Sequence, residues 1–227
     1  MNQPAKHTTE KPRIGITIGD LNGIGPEVII KALGDARLLS LITPVIYGST
    51  RVLSFYRKSM NLEEFNYSQV KQKGQFFPKA VNVVNCWEEV IELTPGQPSR
   101  QTGKAALLAL QRGVEEIKEG WIDALVTAPI DKNTIHGDDF PYRGHTEYLT
   151  QEFKAMESLM LMAGQLLKVG LVTEHVPLKE VASLLTRERI ELKIRLLELS
   201  LKKDFGLSKP RIAVLGLNPH AGDDGLL

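Results

Sequence analysis

Two histidines in this chain each follow an apolar run of strand length. His175 ends the run "LKVGLVTEH" (167–175), and His220 follows the run "PRIAVLGL" (210–217). Neutral imidazole is the commonest protein ligand of transition metals, and parallel strands bring their carboxyl ends to one edge of a sheet. The pair therefore indicates a metal site. Zinc normally takes at least three protein ligands, however, and a lone histidine at a strand end is more often structural.

A second candidate site lies in "PYRGHTEYL" (141–149), where His145 and Thr146 follow a glycine at a predicted helix start. Two hydrogen-bonding side chains at a helix N-terminus are well placed to contact a ligand. The alternative is that Thr146 caps the helix and His145 is a surface histidine. The residues alone leave both interpretations open.

Two other predicted loops follow apolar runs. "IGDLNGIGPE" (18–27) combines three glycines with a proline at a helix start, which suits either a bound phosphate or carboxylate or a plain tight turn. Its spacing matches neither G-x-G-x-x-G nor a Walker loop. In "ALVTAPIDKNTIHG" (124–137), Lys132 is able to bind an anion as a point charge, but a solvated lysine is the more common case.

The elements that must position these residues alternate between strands and helices. Continuous apolar runs separated by helix-period segments predict a parallel sheet covered by helices on both faces. The runs with strand character are 13–20, 41–48, 79–86, 123–130, 157–164, 167–175 and 210–217. The helix-period segments are 25–35, 49–60, 101–120, 145–155, 178–185 and 186–206.

Composition narrows the class of protein. Hydrophobic residues make up 42% and charged residues 24% of the 227 residues, as in ordinary globular proteins, and the net charge is +1. Neither nucleic acid nor a membrane is therefore expected as a partner. A single cysteine and the lack of a signal peptide or an apolar run of spanning length favour a cytoplasmic protein, with residues 1–12 as a disordered lead-in.

Five motifs, in order, resemble those of the 4-hydroxythreonine-4-phosphate dehydrogenase family of pyridoxal 5'-phosphate biosynthesis. They are "ITIGDLNGIGPE", "ALVTAPIDK", "RGHTEYL", "VTEHVPL" and "GLNPHAGDDG". The resemblance implies two α/β/α domains, as in isocitrate and isopropylmalate dehydrogenases, with the active site in the cleft between them. We expect a first domain over 13–130 and a second over 131–227, in a homodimer that shares the active site between subunits.

The resemblance also implies roles for particular residues. His145 and Thr146 would bind the substrate, and His175 and His220 would be two of three histidine ligands of a divalent metal (Zn, or Mg or Co in its place). NAD is the implied oxidant, while the general base and the NAD-binding residues stay unassigned. The third histidine lies in the family's "YHDQG" motif, which this chain does not contain. We therefore expect that the family's C-terminal part is missing and that both domains are incomplete here.

The implied reaction is the NAD-dependent and metal-dependent oxidation and decarboxylation of 4-phosphooxy-L-threonine to 3-amino-2-oxopropyl phosphate. The alternatives are a related dehydrogenase of D-threonate or D-erythronate 4-phosphate, or a chain of this length that is catalytically inactive. Three residues depart from the common family forms "GDPAGIGPE" and "PINK", namely Leu21, Asn22 and Asp131. If these residues face the cleft, they are expected to bear on substrate preference.

Overall fold

The computed structural model describes residues 11–218, 220 and 225. Their backbone contacts divide the chain into two compact units, residues 1–154 and 155–227. The first unit contains β1 (Arg13–Thr17), α1 (Gly25–Leu33), α2 (Ala36–Leu41), β2 (Thr43–Gly48), α3 (Thr50–Ser59), β3 (Tyr67–Gln69), β4 (Val81–Asn85), α4 (Arg100–Lys118), β5 (Ala124–Thr127), α5 (Lys132–Ile135) and α6 (His145–Glu152). The second contains β6 (Leu161–Ala163), β7 (Lys168–Gly170), α7 (Leu178–Leu184) and α8 (Arg187–Lys203).

The first unit is built on a parallel sheet of five strands in the order β3-β4-β2-β1-β5. Thr17 at the end of β1 lies opposite Tyr47 of β2 on one side and Thr127 of β5 on the other. The carboxyl ends of the three strands therefore meet at one edge. All six residues of β2 are buried, as expected of a central strand with both faces covered. The predicted α/β class with a parallel sheet is confirmed for this unit.

Helix α4 fixes the part of the first unit that follows β5. One face of α4 packs on strands β1, β2 and β5 of the sheet. Other residues of α4 form an apolar cluster with residues of α5 and α6. The members of that cluster are Ala106, Leu107, Leu110, Val114, Ile135, Phe140 and Tyr148. Because this cluster ties α5 and α6 to α4, the first compact unit includes both helices.

A buried polar cluster joins α4 to the sheet. The Tyr47 hydroxyl donates to Glu116 Oε2 at 2.8 Å, and Arg112 Nε donates to Glu116 Oε1 at 2.7 Å. Both Tyr47 and Glu116 are fully buried, and each carboxylate oxygen has a donor. Burial, then the neighbouring Glu116 charge, raises the pKa of Tyr47 well above its usual range. The phenol therefore stays a hydrogen-bond donor, which the cluster requires.

The second unit differs from the prediction. Its sheet has two antiparallel strands, β6 and β7, with Met162 opposite Val169. The run 167–175 forms a strand only over Lys168–Gly170, and residues 211–217 form none. The predicted parallel strands leading to His175 and His220 are therefore wrong. An apolar run becomes a strand only where another strand can pair with its backbone groups, and the described residues provide none for 211–217.

Long side chains hold α8 to the rest of the second unit. Lys193 is only 3% exposed, and its ammonium donates to the Glu157 carboxylate at 3.1 Å and to the Ser158 carbonyl. Arg189 Nε donates to the Val172 carbonyl at 3.0 Å. The segment 186–206, predicted as a helix, thus forms α8 with the charge of Lys193 turned inward.

No helix among the residues that the structure describes is long and apolar enough to cross a bilayer.

Candidate functional site

The loops that follow β1 and β5 lie directly against each other at the carboxyl edge of the sheet. The Asp20 amide donates to the Pro129 carbonyl at 2.9 Å. Gly19 adopts φ +72°, and a Cβ at this position would lie 2.3 Å from the same carbonyl oxygen. Only glycine combines that backbone conformation with so close an approach. The glycine loop therefore serves to join two strand ends.

The polar residues of the β1 loop are used within the protein. Asp20 Oδ1 accepts from the Asn22 amide at 3.2 Å. The Asn22 side chain donates to the Gln97 carbonyl at 2.7 Å and accepts from the Thr94 amide at 3.0 Å. Leu21 is fully buried in the core. Of the two interpretations of this loop, these contacts favour the tight turn. They also show that Leu21 and Asn22, which depart from the family form, face the protein interior.

The loop after β5 continues into the short helix α5, which the Asp131 side chain caps. Asp131 Oδ1 accepts from the amides of Asn133 and Thr134, both at 2.9 Å. An asparagine, the usual family residue here, would offer an amide oxygen to the same donors. The change from "PINK" to "PIDK" therefore keeps the cap.

Helix α6 presents His145 and Thr146 at its first turn. Gly144 precedes the helix without a side-chain cap, so Thr146 is not the capping residue. Tyr148 anchors α6 through ring contacts with Phe140 and Tyr142, whose centroids lie 5.4 and 5.3 Å away. These ring contacts hold the backbone of His145 and Thr146 in place. The Thr146 side chain is exposed.

The His145 imidazole is half-buried at the start of α6. Its Nε2 atom is buried and has no hydrogen-bond partner among the described residues. Burial, and then the positive charge of Lys132, lower the pKa of the imidazole, so it is neutral at pH 7. A buried ring nitrogen without a partner costs free energy unless a ligand supplies one. His145 is therefore a half-buried, neutral imidazole and not the surface histidine of the alternative interpretation.

His175 and His220 both belong to the second unit. His175 is exposed in a bend between β7 and α7, with a left-handed φ of 52°. That conformation is uncommon for a residue other than glycine, and such strain concentrates at functional sites. His220 is also exposed, and residues 219 and 221–224 beside it lie outside the described residues.

The single cysteine offers no alternative chemistry. Cys86 follows β4, and its thiol donates to the Val84 carbonyl at 3.5 Å. Burial raises the pKa of this thiol to about 12, so the nucleophilic thiolate is almost absent at neutral pH. Cys86 is therefore a packing residue.

A comparison with protein-family models decides the family. Residues 40–227 match the model described as "Pyridoxal phosphate biosynthetic protein PdxA". The chain belongs to the PdxA family. This confirms the resemblance inferred from the five motifs.

Relatives of the PdxA chain carry two kinds of name. It is 45% identical over 218 residues to a 4-hydroxythreonine-4-phosphate dehydrogenase of Bacteroides thetaiotaomicron, covering 96% of this chain and 60% of the relative. It is 33% identical to an Oceanobacillus iheyensis protein provisionally named as a D-threonate 4-phosphate dehydrogenase, covering 96% of this chain and 66% of that protein. The PdxA chain thus spans 60% of the length of the first relative and 66% of the length of the second.

Solved structures show the same relationship. A Burkholderia phymatum 4-hydroxythreonine-4-phosphate dehydrogenase matches with a TM-score of 0.82 and 30% identity, over 96% of this chain and 66% of that chain. The Klebsiella pneumoniae enzyme of the same name matches with a TM-score of 0.79 and 32% identity, over 97% and 66%. The fold of this PdxA chain is therefore that of the solved family members over the matched part.

The metal ligands implied for a PdxA protein are only partly represented. Imidazole is a suitable donor for a divalent transition metal, and His175 and His220 lie in the motifs that carry the resemblance. Within the described ranges, no group of three His, Cys, Asp or Glu side chains could hold a metal ion. The donor chemistry fits, but two histidines alone are fewer than the three ligands that zinc normally takes.

Proposed function

We propose that this protein oxidises and decarboxylates 4-phosphooxy-L-threonine to 3-amino-2-oxopropyl phosphate, with NAD as the oxidant, in pyridoxal 5'-phosphate biosynthesis. Membership of the PdxA family and the names of its relatives support the substrate. The observation that carries the proposal is the buried, unpartnered Nε2 of His145, at a helix start beside the exposed Thr146. These residues would bind and orient the substrate.

The proposed reaction has two steps, an oxidation and a decarboxylation. The hydrogen on the carbon that bears the secondary hydroxyl leaves as hydride to NAD, and the hydroxyl proton is released, which gives NADH, a proton and a β-keto acid. The carboxylate then leaves as CO2, and its bonding electrons form an enolate that takes up a proton. Neutral His145 would hold one oxygen of the substrate by a hydrogen bond while Thr146 holds another. Holding the substrate in one orientation in this way accelerates the reaction.

We further propose His175 and His220 as two ligands of a divalent metal, Zn or Mg or Co in its place. The chemistry that such an ion would supply is polarisation of the alcohol oxygen, which would lower the pKa of the hydroxyl. A third ligand from outside the described residues would complete the site, and a homodimer would share it between subunits. The family's two-domain cleft and the predicted domains 13–130 and 131–227 belong to the same proposal.

One relative favours a second candidate function. The Oceanobacillus protein provisionally named for D-threonate 4-phosphate covers the same part of this chain. D-Threonate and D-erythronate 4-phosphates lack the amino group of the threonine substrate but share its phosphate and secondary alcohol. A protein of this length that binds a substrate without turning it over is the remaining alternative.

The proposal is tested by following NADH formation at 340 nm with the three phosphates, each with and without a divalent metal. We expect metal-dependent turnover of 4-phosphooxy-L-threonine. Turnover confined to the sugar-acid phosphates would establish the second candidate instead. Binding of the threonine phosphate without NADH would support the inactive alternative, and no binding of any of the three would refute the proposal.

Histidine variants separate the proposed metal-binding role from the proposed substrate-binding role. His175→Ala and His220→Ala should weaken zinc binding in a calorimetric titration, whereas His145→Ala should weaken substrate binding and leave zinc binding intact. The control is His136→Ala, which removes an exposed imidazole from the loop after α5. Equal zinc affinity in the wild-type, H175A and H220A proteins would rule out the metal assignment.

A further inference from the structure

Lys132 is held in a fixed place at the carboxyl edge of the sheet. It begins α5, whose first turn is capped by Asp131 through the amides of Asn133 and Thr134. The other end of α5 packs on α4 so closely that a Cβ on Gly103 would lie 2.2 Å from the Thr134 carbonyl oxygen. The lysine backbone therefore has little freedom, although its side chain is exposed.

The Lys132 side chain runs along the start of α6. A Cβ built on Gly144 would lie 3.6 Å from Lys132 Cε and 4.0 Å from Nζ, so the ammonium lies beside the residue that precedes His145. The N-terminus of a helix carries partial positive charge from its unpaired amides. The Lys132 ammonium therefore lies beside the N-terminus of α6, close enough for its charge to act on the His145 imidazole. A bound anion would interact favourably with both the ammonium and the helix N-terminus.

The acidic side chains of α6 do not neutralise Lys132. The Glu147 carboxylate accepts from the Arg143 amide at 2.8 Å and lies 3.6 Å from the Arg143 guanidinium. Glu152, at the far end of the helix, pairs with Lys118 at 2.5 Å. In the part of the chain that is described, Lys132 forms no ion pair of its own. Its charge is therefore available to a ligand.

We propose that Lys132 is a specificity-determining residue of the His145 site and binds the phosphate group of the substrate. A phosphate monoester is close to a dianion at pH 7, which suits an ammonium and a helix N-terminus better than a neutral hydroxyl would. The identity of the carbon skeleton rests on the proposed function. The phosphate contact does not, because it can be measured without turnover.

The test is a calorimetric titration of the chain with three ligands. Inorganic phosphate reports on the anion alone, 4-phosphooxy-L-threonine on the whole substrate, and 4-hydroxy-L-threonine on the same skeleton without its phosphate. The variants are Lys132→Gln and Lys132→Arg. Lys104→Gln serves as the matched control, since Lys104 is an exposed lysine on α4 and its replacement removes the same charge.

We expect Lys132→Gln to weaken binding of both phosphate ligands by roughly 10-fold or more, the worth of one charged hydrogen bond. Its affinity for 4-hydroxy-L-threonine should not change. Lys132→Arg should keep most of the phosphate affinity, and Lys104→Gln all of it. Wild-type phosphate affinity in K132Q, an equal loss for the unphosphorylated ligand, or no phosphate binding by the wild-type chain would each overturn the proposal.

Failure of the proposed function gives a different pattern. If no four-carbon phosphate yields NADH but inorganic phosphate binds in a Lys132-dependent way, the reaction is wrong and the anion site stands. If 4-phosphooxy-L-threonine is turned over and Lys132→Gln changes neither its KM nor its binding, the reaction stands and the Lys132 assignment is wrong.

Discussion

Replacing Gly103 by alanine should destabilise the first unit by disturbing the contact that positions α5. The new Cβ would lie 2.2 Å from the Thr134 carbonyl oxygen, 2.4 Å from its carbon and 2.9 Å from the Ile135 amide nitrogen. All three are backbone atoms, so relief requires α5 to move by about 1 Å to reach normal contact distance. Such overpacking costs about 1–3 kcal/mol.

The same helix offers a matched control. Gly113 also lies within α4, but a Cβ there would first meet the tips of side chains, Leu125 Cδ1 at 2.9 Å and Thr17 Cγ2 at 3.3 Å. Both alanines gain about 1 kcal/mol of helix propensity, so this contribution cancels between them. We expect Gly103→Ala to be less stable than Gly113→Ala by at least about 1 kcal/mol, because only the former collides with backbone.

Urea unfolding monitored by tryptophan fluorescence measures this difference. Both tryptophans, Trp87 and Trp121, belong to the first unit, so the signal reports on that unit. Trp121 directly follows α4, and its amide donates to the Glu116 carbonyl at 2.9 Å. A Gly103→Ala protein as stable as Gly113→Ala would refute the claim that α5 is held by close backbone contact. Phosphate affinity should fall in parallel, since α5 carries Lys132.

Three further outcomes follow from buried polar groups. Tyr47→Phe should lower the free energy of unfolding by about 1–3 kcal/mol, because Glu116 Oε2 loses its donor; unchanged urea midpoints would contradict this. Asn22→Ala should speed hydrogen exchange of the Thr94 amide, which loses its buried acceptor. The His145 imidazole should titrate below free histidine in NMR, and Lys132→Gln should raise its pKa. Because the unfolded state binds this proton first, near pH about 6.5, His145 should favour unfolding as pH falls below that value.

The elements that could be predicted are those specified by local pattern. The apolar runs before Gly19 and Lys132 became β1 and β5, and the helix-period segment 101–120 became α4. In each case the run has neighbours in the parallel sheet that pair with it or cover it. The run 210–217 has an equally apolar pattern, yet it forms no strand, because a strand also depends on a partner that local sequence does not specify.

The candidate site was predictable in part for the same reason. His145 is identifiable from sequence because it lies in a short contiguous motif after a glycine. Its proximity to Lys132 is not encoded locally, since the packing of α5 and α6 on α4 brings the two residues together. Asn22 is a similar case, because its partners lie at residues 94–97. Contacts between distant segments carry no local signal, so the sequence alone favours a solvated Lys132.

The central claim is that His145 Nε2 binds the substrate, and nitrogen-15 NMR of the imidazole side chains tests it most directly. Titration with 4-phosphooxy-L-threonine should shift the Nε2 resonance of His145 strongly as the vacant nitrogen gains a partner. The exposed His136 provides the internal reference and should hardly move. If the ligand binds and His145 Nε2 keeps its position, or moves no more than His136, then His145 is not a substrate-binding residue and the site lies elsewhere.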